Sequence, residues 1–286
     1  MLSLGFKPDG FLSAYPDGTC AGVRLHYAVE SEPLDTAGAI RFAALTAGFT
    51  GETFVALNGD VLTDLDVGEL VAFHRRHGAE GSIHLTPVED PSAFGVVPTR
   101  EDGQVEAFVE KPPPGEAPTN LINAGTYVLE AAALDRIPNG RKVSIERETF
   151  PAMVADGSLY ALATDDYWLD AGSPDLYRQA NLDMIDGRRA MVKAEPLAAD
   201  AAVDDAASVR RSVIGAQVRV GAGAVVEGSV VLAGASIEAG ARVLGSIIGP
   251  GSVVRSGAVL DDVVLGEGVV VDGDSRLLGV RIPDGG

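Results

Sequence analysis

The strongest constraint on the fold is a six-residue spacing of aliphatic side chains toward the C-terminus. Ile214, Val220, Val226 and Leu232 stand six apart, as do Ile237 and Val243, and then Ile247, Val253, Val259, Leu265 and Val271. Gly accompanies many of them, as in Ile214-Gly215, Val220-Gly221, Ile248-Gly249 and Leu265-Gly266. One aliphatic residue per short side, with Gly at the corners, is the pattern of a parallel β-helix whose coils stack on one another. A flexible Gly/Ala tail is the alternative, and eleven aliphatic residues on the grid argue against it. The slips near 232–247 predict a local bulge or loop.

Composition divides the chain in the same place. All 15 Phe and Tyr residues and the single Trp lie at or before Tyr177, whereas 16 of the 35 glycines fall within 211–286. Two different kinds of core are therefore expected: one domain over 1–187, an Ala- and Asp-rich linker over 188–211, and a repeat domain over 212–286. The first part alternates strand-like and helix-like segments. Strands are predicted over 25–29, 53–57, 81–87, 95–97, 104–108, 123–129 and 159–163. Helices are predicted over 36–47, with Thr36 as N-cap, 65–77, 131–137 and 145–155. Such alternation favours an α/β domain, a mostly parallel sheet with helices on both faces.

Charge and cysteine usage narrow the partners. The formal net charge of −19 over 286 residues argues against nucleic acid and against an anionic membrane surface. It leaves phosphate binding open, because a Lys or a metal ion can reverse the sign locally. Cys20 is the only cysteine, so no internal disulfide is possible and a reducing compartment fits. No signal-peptide pattern opens the chain and no apolar run approaches the ~20 residues of a membrane span. A cytoplasmic location is expected.

Two acidic motifs frame the chemistry: Leu57-Asn58-Gly59-Asp60 after the apolar run Thr53 to Ala56, and Tyr167-Trp168-Leu169-Asp170-Ala171-Gly172. Between them lie Glu110-Lys111-Pro112 and Ile122-Asn123-Ala124-Gly125. If these strands are parallel neighbours, their ends meet at one sheet edge, where open α/β folds bind ligands. Two carboxylates and a lysine there suit a divalent cation and a phosphorylated substrate. Asn-Gly is also a hairpin signal, but Thr63-Asp64-Leu65-Asp66 reads as a helix entry rather than a returning strand. Asp170 could instead cap the helix-like stretch that begins at Ser173-Pro174. Glu110-Lys111 could be a solvated pair ahead of three prolines. Asn123 can both donate to and accept from sugar hydroxyls, and Gly125 would let a ring approach the backbone; an ordinary strand start is the alternative. His26, His74, His77 and His84 show no ligand spacing. No phosphate-binding loop of the Gly-x-x-x-x-Gly-Lys type and no dinucleotide fingerprint is present.

Taken in order, Glu30-Ser31-Glu32-Pro33-Leu34-Asp35-Thr36-Ala37-Gly38, the Asp60 motif, Phe94-Gly95-Val96-Val97, the Glu110 and Asn123 motifs, and the Asp170 motif resemble the sugar-phosphate nucleotidyltransferase family. The resemblance covers about 1–180. The segment Ser144-Ile145-Glu146-Arg147-Glu148-Thr149-Phe150-Pro151 is similar to that of mannose-1-phosphate guanylyltransferases. The repeats resemble the left-handed hexapeptide β-helix, a common appendage of the family. The resemblance implies a Rossmann-like sheet followed by that β-helix, and GDP-mannose formation from GTP and mannose 1-phosphate with release of pyrophosphate. By the same resemblance, Asp60 and Asp170 would hold Mg²⁺ and, with Lys111 on the sugar phosphate, act in catalysis. Glu110, Asn123 and Gly125 would meet the sugar, Gly95 would line its site, Asn58 would contact substrate, and Thr36, Ala37 and Gly38 would lie beside the base. Association into homo-oligomers through the repeats is also expected.

Two departures stand out. Position 35 is Asp where the family usually has Gly. The family's opening strand, its Gly-Gly-x-Gly-Thr-Arg loop and a Pro-Lys-Pro lysine, roughly its first fifty residues, find no match here. The expectation is a native product that starts upstream, and little turnover by the 286 residues alone. A hexapeptide acyltransferase would need a His on the β-helix, and the last His is His84. Other readings are a uridylyl or thymidylyl transferase acting on glucose 1-phosphate, and a non-catalytic sugar-nucleotide-binding subunit.

Overall fold

A computed structural model describes residues 1–5, 8–49, 51–189 and 194–285. In chain order the first part comprises β1 (Leu2–Leu4), α1 (Pro8–Ala14), a hairpin of β2 (Thr19–Cys20) and β3 (Val23–Arg24), β4 (Tyr27–Val29), α2 (Asp35–Thr46), β5 (Phe54–Leu57) and β6 (Val61–Thr63). There follow α3 (Val67–His77), β7 (Gly81–Pro87), β8 (Gly95–Val96), β9 (Val109–Glu110), β10 (Leu121–Leu129), α4 (Phe150–Ala155), β11 (Leu159–Ala163), β12 (Trp168–Asp170) and α5 (Pro174–Ile185). The chain forms two compact units. One holds 1–59 and 65–166; the other holds 60–64 and 167–286.

The first unit is built on a six-stranded sheet in the order β11-β7-β10-β8-β9, with β5 also paired to β10. β5, β7, β8 and β11 share one direction, and β10 runs against its neighbours β5, β7 and β8. A separate parallel pair, β1–β4, completes the strand set. β10 is buried on both faces, because successive side chains point to opposite sides. Tyr127 and Leu129 join the larger apolar cluster with Ile83, Leu85, Phe150 and Met153, which α2 and α4 help to cover. Val128 faces the other way, against Leu70 of α3. This is the Rossmann-like α/β layering that the alternation predicts, with helices on both faces of the sheet.

Several local expectations are corrected. Thr36 does not cap α2: the N-cap is Leu34, and the Thr36 hydroxyl is committed to Glu146 and to the Ile145 N–H. Residues 104–108 supply only isolated bridges, Thr99 to Val105 and Gln104 to Tyr160, and the strand there is β9 instead. The helix predicted over 145–155 is a π-turn, Ile145–Thr149, followed by α4 with Pro151 in its first turn. Proline cannot donate the backbone bond that a continuous α-helix would need. Thr63 ends a strand, β6, and the helix entry is at Asp66, whose carboxylate accepts from the Gly68 and Glu69 N–H groups.

The second unit carries the repeats. Three five-stranded parallel sheets form three sides of a solenoid of about five coils, consistent with the left-handed form. Val203, Val220, Ile237, Val254 and Val271 stack in register, each one coil beyond the last. The coil is 17 residues, not a multiple of six. The buried series runs Ile214, Val220, Val226, Val231, Ile237, Val243, Ile248, Val254, Leu260, Leu265 and Val271, in steps of six, six and five. The slip is therefore regular, one short side per coil, and no bulge is present. Val231 and Ile248 point inward; Leu232 is half-buried. The first coil reaches back into the expected linker through strands Ala202–Val203 and Ser208–Arg210, while 190–193 of that linker fall outside the described residues.

The short side turns on one left-handed residue per coil: Arg211, Gly228, Gly245, Asp262 and Gly279, with φ between 42° and 64°. The next residue in three coils is a buried serine. Each serine donates to the carbonyl two residues back and accepts the N–H one coil onward, Ser212 from Ser229 at 3.1 Å, Ser229 from Ser246 at 3.0 Å and Ser246 from Val263 at 2.9 Å. Ser246→Ala would leave the buried Val263 N–H unpartnered, and is expected to lower stability by about 1–3 kcal/mol in urea titrations.

Two buried histidines organise the first unit. His74 bridges Ser82 and Glu130, at 2.9 and 3.0 Å, and so ties α3 to β7 and to the end of β10. His84 on β7 meets Thr164 Oγ1 at 2.9 Å through Nε2, and its buried Nδ1 has no hydrogen-bond partner. Burial pushes the His84 imidazole down to about 4, against a weaker opposing pull from Asp166. The unfolded chain then binds more protons than the folded one between about 6.5 and 4, so stability is complete above that window and falls on acidification. The expected loss approaches 1.4 kcal/mol per pH unit within the window. Urea midpoints measured from pH 7 to 4.5 should fall less steeply for His84→Leu than for the natural chain; parallel curves would refute the assignment.

Candidate active site

The two aspartates come together by antiparallel pairing, not as ends of parallel neighbours. Trp168, Leu169 and Asp170 pair with Thr63, Leu62 and Val61. An antiparallel pair sets the start of one strand beside the end of the other, so Asp60, just before β6, lies by Asp170, the last residue of β12. The Ala171 N–H closes the end by donating to the Asp60 carbonyl at 2.8 Å. Asp170 Oδ1 accepts the Gly172 N–H at 2.8 Å. A methyl group placed on Gly172 would stand 2.9 Å from Asp170 Oδ1 and 3.3 Å from Asp60 Oδ2. Both carboxylates thus border one point, and the residue facing it is too small to fill it.

Side chains behind the pair hold the strands. Arg189 donates to Asp64 Oδ1 and to the Thr63 carbonyl, each at 2.9 Å. Tyr167 donates to the buried Asp183 carboxylate of α5 at 3.0 Å, and burial, reinforced by that carboxylate, pushes its phenol well above the usual range. Ser173, rather than Asp170, caps α5 by accepting the Leu176 N–H. Among the described residues no group of three or more Asp, Glu, His or Cys is clustered for metal binding. A cation at Asp60 and Asp170 would complete its shell with water and ligand oxygens, which suits Mg²⁺.

A second constellation lies within the first unit, around an irregularity in β10. One edge of β10 pairs with β7 on both sides of a register shift between Asn123 and Tyr127. β8 pairs with it at Ile122, and β5 from Thr126 to Leu129. At the break, the Asn58 N–H donates to the Gly125 carbonyl at 2.8 Å. Gly125 has φ 77°, and a Cβ there would lie 2.7 Å from Asn58 Nδ2. Only glycine serves both needs. Asn123 Oδ1 accepts the Gly125 N–H at 3.2 Å, and its Nδ2 donates to the Tyr127 hydroxyl at 3.0 Å.

Glu110 pairs across from Gly95, where a Cβ would lie 2.6 Å from the Phe108 ring and 3.1 Å from Glu110 Oε2. Gly95 therefore lets Phe108 and Glu110 pack over its backbone. Lys111 is exposed at φ 48°, with its N–H bonded to the Phe94 carbonyl at 3.0 Å. Arg147, on the π-turn, brings its guanidinium to 3.9 Å from Glu110. The π-turn is a rare form often found at functional sites.

At the start of α2, Ala37 is buried and its N–H donates to the Val143 carbonyl at 2.9 Å. Gly38 is buried against Leu34 and the Arg141 carbonyl. Thr36 donates to Glu146 Oε2 at 3.0 Å. Asp35 has φ 62°, the conformation for which glycine is the usual residue, and its carboxylate accepts the Thr36 N–H at 2.8 Å. Sequence reasoning missed Tyr127, Glu146, Arg147 and Gly172. Period-two counting from Asn123 through Gly125 could have found Tyr127; nothing in the sequence announced the π-turn that presents Glu146 and Arg147.

The comparisons with known proteins agree on the class. A family model described as Nucleotidyl transferase matches residues 4–187, and one described as GMPPB C-terminal domain matches 193–282. A mannose-1-phosphate guanylyltransferase of Mycobacterium tuberculosis is 41% identical over 189 residues, covering 65% of this chain and 52% of that protein. The catalytic subunit beta of the Dictyostelium discoideum enzyme is 41% identical over 177 residues, covering 61% of this chain and 48% of that protein. The crystal structure of HddC from Yersinia pseudotuberculosis aligns with TM-score 0.53 and 28% identity, over 63% of this chain and 75% of that one. The chain thus spans about half the length of the curated relatives it matches. With the family model covering more than half of its residues, the chain belongs to the nucleotidyl transferase family.

Proposed function

We propose that this chain serves the transfer of a guanylyl group from GTP to mannose 1-phosphate, giving GDP-mannose and pyrophosphate. The observation that carries this is the convergence of the Asp60 and Asp170 carboxylates on the open point beside Gly172. The names of the curated relatives support the choice of sugar and nucleotide. The HddC structure solved with GMP-PN, at 28% identity, supports the nucleotide.

In the reaction, a phosphate oxygen of the sugar phosphate bonds to the α-phosphorus of GTP. The bond to the bridging oxygen breaks, and pyrophosphate leaves with the electron pair. No enzyme nucleophile is needed, and the protein contributes alignment and charge neutralisation. Asp60 and Asp170 would hold Mg²⁺, which neutralises phosphate charge when bound. Lys111 offers its ammonium to the sugar phosphate, and Glu110 and Asn123 accept and donate hydrogen bonds to sugar hydroxyls. Gly95 lets Phe108 and Glu110 pack over its backbone at the sugar site, and Gly125 does the same for Asn58, whose N–H braces the Gly125 carbonyl. Thr36, Ala37 and Gly38 form the wall for the base.

Residues 1–187 carry this chemistry, and the repeat body, whose first coil begins within the segment 188–211, is the part through which copies associate. A cytoplasmic location fits these substrates. Among the described residues no helix is long and apolar enough to cross a membrane.

The test is Mg²⁺-dependent binding of GDP-mannose, followed calorimetrically, with UDP-glucose as comparator. A unit charge ~4 Å away contributes about 4 kcal/mol at an effective dielectric near 20. Asp60→Asn and Asp170→Asn are each expected to weaken the Mg²⁺ requirement's midpoint about tenfold or more. Gly172→Ala, which intrudes on both carboxylates, should do the same with the charges intact. GDP-mannose binding indifferent to Mg²⁺ and to all three substitutions would overturn the proposal. Tighter UDP-glucose binding would reassign the substrate.

A further inference from the structure

We infer that Tyr127 is a positioning residue for the sugar: its hydroxyl orients the Asn123 amide, so that one remaining N–H and one remaining lone pair of Asn123 face ligand hydroxyls. This rests on the proposed role of Asn123 and extends it to a buried residue behind it.

The orientation follows from donor and acceptor counting. The Gly125 N–H can only donate, so the Asn123 atom facing it at 3.2 Å is the oxygen. Nδ2 then faces the Tyr127 hydroxyl at 3.0 Å, which must accept. A reversed amide would set two donors against each other at Gly125. Tyr127 is 1% exposed, and burial, followed by the nearby Glu146 charge, pushes its phenol far above the ordinary range. The hydroxyl is therefore a neutral, fixed group at any working pH. Glu146 is itself fixed by Thr36 and Ser144, each at 3.0 Å.

An Asn amide can make two donor and two acceptor contacts. One of each is spent within the protein, and Asn123 is partly exposed. What is left is a side-by-side donor and acceptor, which matches one hydroxyl taking both roles or two neighbouring hydroxyls of a sugar ring. Without Tyr127, the amide loses one of its two anchors and rotates more freely.

The experiment compares affinities of GDP-mannose and GDP, in Mg²⁺, for the natural chain and for Tyr127→Phe, Asn123→Ala and the double variant. A single neutral hydrogen bond sets the scale, so Tyr127→Phe should lower the preference for GDP-mannose over GDP roughly three- to tenfold. GDP affinity should be unchanged, and the effect should vanish in the Asn123→Ala background. A purely structural role would move both ligands together and persist in that background; that result overturns the inference. A natural chain that binds GDP and GDP-mannose equally well would instead remove the sugar-site reading of Asn123, and this inference with it. Thermal melts run alongside identify any variant that has lost its fold. For that case Tyr127→Trp, which keeps a buried aromatic ring but supplies only a donor, should lower the same ratio.

Discussion

The three-residue ladder between β6 and β12 is the contact on which the proposed chemistry depends. It joins segments far apart in the chain, and its direction decides everything about the aspartates. Because the strands are antiparallel, one aspartate can precede its strand and the other can end its strand, and both still stand at the same end. Shifted by one residue, the ladder would turn one carboxylate to the opposite face. Arg189 on Asp64 and Thr63, and Tyr167 on Asp183, resist that shift from behind. Two short strands contribute little stability of their own, so these polar anchors matter more here than in a long sheet.

Within the first unit, β10 plays the comparable part. It is buried on both faces, and it interrupts its own register where Asn123 and Gly125 sit. An unbroken strand would have committed these backbone groups to ladder bonds. The irregularity instead spends the Gly125 N–H on Asn123 and its carbonyl on Asn58. Polar groups inside a sheet must be partnered, and here the partnering itself fixes the Asn123 side chain. Gly125 makes this possible through its positive φ and through the space it leaves for Asn58.

The solenoid obeys a simpler rule. Its core is a column of aliphatic residues, and its coils are held by repeated backbone bonds. One side of each coil is a residue short, which tightens the corner and would strand an N–H. Serines fill that need in three successive coils. The α5 helix is fastened to the first coils by Arg178 on the Gly228 carbonyl and by the Arg211–Asp186 ion pair at 2.8 Å.

Much of this was legible in the sequence. The alternation of apolar runs located β7 and β11 to the residue, and the six-residue grid announced the solenoid, because periodicity reports which side chains are buried. Ser173-Pro174 marked the start of α5, although the residue that caps it is Ser173 and not Asp170. The regular short side was misread as slips confined to 232–247, since Leu232 and Ile247 are as aliphatic as the true inward residues Val231 and Ile248. Strand direction was not legible either: a strand has the same alternation read from either end, so the antiparallel course of β10 and of the β6–β12 pair lay outside the pattern. The π-turn at 145–149 and the roles of Tyr127 and Glu146 belong to tertiary structure for the same reason. By itself, the sequence determined that an α/β domain precedes a repeat body, where several of the strands lie, and which residue types could meet a phosphate and a cation. Only the tertiary structure decided which ends meet and which polar atoms are already spent, because pairing direction and hydrogen-bond partners depend on contacts between residues distant in the chain.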